Sequence, residues 1–159
     1  MTQVRGVSAR DRPRRRSSTA LGDAAKDLYF SVMSDTVTRG IRVQVASFYD
    51  ADRSSPQESY YFFAYRVRIT NVDSDTVQLV SREWFITDAN GEVQRVQGPG
   101  VVGEQPVLAR GESFEYTSFC PLPTAVGSMH GSYRMVFPNG DGFEAVIAPF
   151  SLAVPHAVN

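Results

Sequence analysis

The chain has 159 residues with a single cysteine, Cys120, so it suits one domain plus a tail and excludes an intramolecular disulfide or a cysteine-based zinc cluster. Its near-neutral charge is uneven: residues 1–34 hold seven basic groups against three acids, whereas residues 35–159 hold nine arginines against fourteen acids and no lysine. That body argues against broad nucleic-acid binding and removes any phosphate-loop or Schiff-base lysine, and no apolar run reaches the ~20 residues of a membrane span.

Residues 1–34 combine scattered charge with the run Arg12-Pro-Arg-Arg-Arg-Ser-Ser18 and little apolar periodicity, the composition of a flexible Arg-rich extension. Within it, residues 20–30 could form one or two helical turns that dock Leu28, Tyr29 and Phe30 on the body, although Gly22 weakens such a helix. The N-terminus lacks the apolar core of a secretory signal, and a cytoplasmic location is expected. Residues 35–159 form the expected domain.

From Asp35 the period becomes two. Ile41, Val43 and Val45 alternate with polar or small residues, and Tyr61, Phe63, Tyr65, Val67 and Ile69 line one face of a second strand whose other face carries Arg66 and Arg68. After the turn cluster Asn71-Val-Asp-Ser-Asp75, a strand runs through Leu79, Trp84, Phe85 and Ile86. Asn90-Gly91 then predicts a type I′ hairpin to a strand with Val93 and Val96. Further alternating segments follow at Phe114 to Ser118, at Tyr133, Met135 and Phe137, at Phe143, Ala145 and Ile147, and at Phe150, Leu152 and Val154. Pro121 to Gly127 reads as a stiff crossover, and Asn139-Gly140 as a second hairpin. Seven to eight short strands at this spacing predict an all-β, immunoglobulin-like or fibronectin type III-like antiparallel sandwich.

The sharpest motif is Gly98-Pro-Gly-Val-Val-Gly103, which has the G-x-G-x-x-G spacing of a dinucleotide-binding turn. Such a turn must follow a strand, open a helix and sit in a βαβ unit; here Pro106 and Gly111 interrupt the place of the helix and the next strand arrives too soon. What the residues leave is a loop whose glycines permit φ > 0 and whose N–H groups either form an anion-binding nest or simply shape a connection. The other candidates are weak. His130 and His156 lack ligand spacing, Asp73 and Asp75 suit a solvated turn, Cys120 has no histidine near it in sequence, and Trp84 suits a core.

The run Val77-Gln-Leu-Val-Ser-Arg-Glu-Trp-Phe-Ile-Thr-Asp-Ala-Asn-Gly91, the stretch Gly98 to Pro106, the segment Leu108-Ala-Arg-Gly-Glu-Ser-Phe-Glu-Tyr-Thr-Ser118 and Gly127-Ser-Met-His-Gly-Ser-Tyr133 together resemble the ApaG family. The resemblance covers nearly the whole body. It implies a fibronectin type III-like sandwich, found alone in bacteria and as a C-terminal domain in a eukaryotic F-box protein and a DNA-polymerase-interacting protein. It also implies an association with cobalt resistance and magnesium efflux, and a pyrophosphate site at the glycines. Two positions depart from the family pattern: Glu83 stands where a histidine is usual before Trp84, and Pro99 removes one N–H from any nest.

The expected function is therefore that of a non-enzymatic interaction module, linked by family to divalent-cation homeostasis, with an unidentified protein partner and no cofactor or metal. The surface expected to carry it comprises Gly98, Gly100, Gly103, Glu104, Arg82 and Arg95. The alternative is a phosphate, pyrophosphate or nucleotide binder using the same glycine loop. Unpaired sheet edges also allow a homodimer.

Overall fold

The computed structural model describes residues 31–156; the expectations for the Arg-rich extension fall mostly on residues 1–30, outside the described part. Among the described residues the alternating segments form nine strands: β1 (Ser34–Thr38), β2 (Ile41–Tyr49), β3 (Tyr61–Asn71), β4 (Val77–Asp88), β5 (Val93–Pro99), β6 (Val107–Leu108), β7 (Ser113–Leu122), β8 (Val126–Val136) and β9 (Gly142–Ala153). They make two antiparallel sheets. The first has the order β1-β2-β3-β7, and the second β5-β4-β8-β9 with β6 paired to β4. This is the expected sandwich.

The core follows from the pleat. Ile41, Val43 and Val45 of β2 and Phe63, Tyr65, Val67 and Ile69 of β3 are buried against Trp84, Ile86, Met129, Tyr133 and Phe150 of the opposite sheet. Full burial of each large apolar side chain contributes roughly 1.5–3 kcal/mol. One side of the sandwich is closed by bonds between β1 or β2 and β9: Ser34 Oγ donates to the Ala148 carbonyl (2.7 Å), Ser47 Oγ to that of Ser151 (2.7 Å), and the Val146 N–H to Thr38 Oγ1 (3.1 Å). The opposite side lies between the edge strands β5 and β7.

Three details differ from the sequence expectation. The two segments expected around Phe143 and Phe150 are one strand, because an irregularity opposite Met129 and Gly131 absorbs the break in alternation at Ala148 and Pro149. At Asn90-Gly91 and Asn139-Gly140 only the glycine takes positive φ (82° and 91°), so neither turn is type I′. Asp88 and Asn139 side chains, accepting from the N–H groups of Asn90 and Asp141, fix a different turn. Paired positive φ occurs instead at Arg39-Gly40 (46° and 82°) and at Val102-Gly103 (44° and 78°).

Candidate functional site

The site is shaped by one irregularity in β4. Val77 and Leu79 face the core, but the register against β8 shifts between Leu79 and Ser81, so that inward positions become Trp84 and Ile86. The shift also turns Arg82 to the inner side. There its neighbour across β5 is Gly98, at which any Cβ would lie 3.1 Å from the guanidinium nitrogens. The first glycine of the motif thus makes room for Arg82. Arg82 Nη1 donates to the carbonyls of Pro99 (2.9 Å) and Gly100 (2.8 Å), tying the loop to β4.

The other two glycines build a small hairpin. Val101 and Glu104 exchange backbone bonds of 2.8 Å in each direction around Val102-Gly103. Gly100 has φ 58°, and a Cβ there would lie 2.3 Å from the Glu104 carbonyl oxygen. The Gly100 N–H donates to the Val80 carbonyl at 2.9 Å. In an antiparallel ladder that makes the next pair, Ser81 with Pro99, a non-hydrogen-bonded one, where the missing proline N–H costs nothing. The N–H groups of Gly100, Val101 and Glu104 are therefore committed within the chain, leaving those of Val102 and Gly103 at the tip.

Arg95 lies on the other face of the same sheet. It pairs with Glu83 at 2.8 Å, and Glu83 also accepts a bond from Gln97. The bond from Arg95, aided by Gln97, holds the Glu83 carboxyl below its ordinary range. Arg95 also sits 5.9 Å from the Phe85 ring centroid, and Phe85 stacks on His130 at 5.1 Å. Phe85 is thus an outward residue, on the face opposite Trp84 and Ile86. Beside these residues an open groove of about 660 Å³ is lined by Ser81, Glu83, Gln97, Ser132, Arg134 and Glu144. Arg134 pairs with Glu144 at 3.3 Å, and Ser132 Oγ donates to the same carboxylate.

On the inner side, Tyr116 and Tyr133 hydroxyls bond to one another in full burial. Desolvation raises both far above the ordinary phenol range and pushes Tyr65 to about 12. The Cys120 thiol is 1% exposed, and burial pushes it to about 12, so it stays protonated at neutral pH. In the turn after β3, buried Asn71 organises the chain: its Nδ2 donates to the Asp75 and Leu108 carbonyls, and its Oδ1 accepts from the Ser74 N–H. Asp73 faces Arg110 at 3.6 Å. Among the described residues no three of His, Cys, Asp and Glu are grouped to hold a metal ion.

The six expected contact residues therefore divide. Gly98, Gly100, Gly103 and Glu104 form one loop with Arg82 beneath it, whereas Arg95 belongs to the outer face with Glu83. Sequence reasoning did not find Ser132, Arg134 and Glu144, which lie on β8 and β9 and join Glu83 only through sheet pairing. The one available signal was the broken alternation between Leu79 and Trp84.

Fold and site together define an antiparallel β-sandwich domain with a glycine hairpin set into one edge of its second sheet. Comparison with known proteins makes the family specific: the model of the ApaG domain matches residues 51–137. Protein ApaG of Methylobacterium nodulans is 59% identical over 119 residues, covering 75% of this chain and 92% of that one. Protein ApaG of Beijerinckia indica is 55% identical over 123 residues, covering 77% and 95%. The crystal structure of an ApaA protein from Bordetella pertussis superposes with a TM-score of 0.71 at 52% identity, covering 73% of this chain and 94% of that one. The chain belongs to the ApaG family.

Proposed function

We propose that this chain is a non-enzymatic protein-interaction module whose contact surface is the outer groove, with the glycine hairpin at its rim. The observation that supports this most is the groove itself. About 660 Å³ of open space lies over short side chains, between the Glu83–Arg95 pair and the Arg134–Glu144 pair. Charges of both signs, each already neutralised by a neighbour, favour a polar protein segment over a small ion of one sign. In this reading Arg95 contacts the partner, while Gly98, Gly100 and Gly103, with Arg82, shape the rim. A cytoplasmic setting fits, and the family's association with cobalt and magnesium is assigned to the partner rather than to a metal held by this domain.

The test is affinity capture from a lysate with the full chain. Ser132→Arg places a long side chain over the groove floor, whereas Val37→Arg alters β1, where Val37 is 56% exposed on the other sheet. The expected result is loss of the captured partner with Ser132→Arg and retention with Val37→Arg. Equal retention by both, or equal loss, refutes the groove as the contact surface.

A further inference from the structure

The open side of the sandwich holds a second cavity, on the inner side of the sheet, which shares Arg82 with the groove and otherwise has its own lining. A narrow slot is lined by half-buried Val96 and Phe119 and by buried Trp84, Ser118, Cys120 and Met129. It accepts about 20 Å³, the room of one oxygen atom or water. Trp84 is 2% exposed, and its Nε1–H has no hydrogen-bond partner. A buried donor in that state calls for an acceptor. Arg82 lines the same slot. Both of its hydrogen bonds leave from Nη1, and no described carboxylate lies within ion-pair distance of it.

An indole donor, a guanidinium without a counter-ion and apolar walls thus line one opening. A water would answer the indole but not the charge, and an inorganic anion would find no partner for Val96, Phe119 and Met129. We infer that the slot binds the carboxylate end of an acid carried on an apolar stem. One carboxylate oxygen accepts from Trp84 Nε1–H inside, the other accepts from Arg82, and the stem leaves past Val96 and Phe119. The exposed edge strand β5, hydrogen-bonded on one side only, gives the slot its freedom to widen around the stem.

Trp84 is the chain's one tryptophan, so its indole N–H gives a single cross-peak in a ¹⁵N-correlated NMR spectrum. The full chain is titrated with hexanoate, and in parallel with hexanol and with inorganic phosphate. The expected result is a saturable movement of the indole peak by millimolar hexanoate and none by the two controls. N-acetyl-leucine and its amide separate the sources. Tighter binding of the acetylated amino acid than of hexanoate assigns the site to a chain terminus, and weaker binding to a free acid. Val96→Phe, which narrows the mouth and leaves both donors in place, is expected to weaken hexanoate about tenfold or more, as is Arg82→Gln. An unmoved indole peak, or equal movement by hexanol, overturns the proposal on the unsubstituted chain alone. So does unchanged affinity in a folded Val96→Phe.

Discussion

Gly100 and Gly103 belong to one motif yet are constrained by different physics, so alanine at each should cost different amounts. Gly103 has φ 78° with nothing within 4 Å of an added Cβ. Its penalty is the left-handed backbone alone, roughly 1–2 kcal/mol, reduced by the ~0.4–1 kcal/mol that alanine gains by restricting the unfolded chain. A net loss of roughly 0–1.6 kcal/mol follows. Gly100 carries the same backbone penalty, and its Cβ would also lie 2.3 Å from the Glu104 carbonyl oxygen, a backbone atom that moves only with the hairpin. Relieving that clash breaks the reciprocal Val101 and Glu104 bonds and strains the bond from Gly100 to Val80. At about 1 kcal/mol per bond, the total reaches roughly 3–4 kcal/mol. Urea unfolding followed by Trp84 fluorescence gives both values by linear extrapolation, with an unchanged slope as the check that the two-state comparison holds. If Gly103→Ala costs as much as Gly100→Ala, the hairpin account of the motif is wrong.

Glu115 accepts bonds from Arg68 and Arg66, the latter at 2.8 Å. Burial raises its pKa, but the Arg68 and Arg66 contributions together outweigh burial and leave it lowered. Its stabilisation is therefore present above the unfolded value, about 4.3, and is lost as pH falls through the lower folded value. Glu115→Gln should cost about 1–2 kcal/mol at neutral pH, after allowing for partial solvent screening, and progressively less in acid; a loss that does not shrink with falling pH in urea melts contradicts the ion-pair account. Pyrophosphate at millimolar concentration should leave the amide resonances of residues 98–104 unmoved, because three of the loop's N–H groups already have partners in the chain. Saturable shifts at Val102 and Gly103 would reverse that conclusion.

The sandwich was legible because β3 and β7 alternate without interruption and β2 does so from Ile41 to Val45, and period-two burial leaves a direct trace in residue type. The rejection of a dinucleotide fold was legible for the same reason, since strand periodicity surrounds the glycines. The hairpin turns were less so. Asn90-Gly91 has the favoured I′ composition but lies in a longer turn set by the Asp88 side chain, whereas Val102-Gly103 adopts paired positive φ with a β-branched residue in the first position. There the edge pairing to β4 overrides local preference. The groove and slot were illegible because the groove gathers residues from β4, β5, β8 and β9 and the slot from β3, β4, β5, β7 and β8, strands distant from one another in sequence. Arg82 reads as a surface arginine until the register against β8 shows which way it turns.

The irregularity between Leu79 and Ser81 separates β4 into two reading frames. Upstream of it odd-numbered residues are internal, and downstream even-numbered ones are. The spacing between Leu79 and Trp84 is consequently under a counting constraint distinct from any constraint on residue identity. Substitutions at Val80 or Ser81 leave the frame intact. Loss of one of them would remove the extra residue and leave a regular alternation with Arg82 and Trp84 still internal, whereas loss of both would send Arg82 and Trp84 to solvent and bring Glu83 and Phe85 beneath the glycine hairpin, exchanging the contents of the groove and the slot.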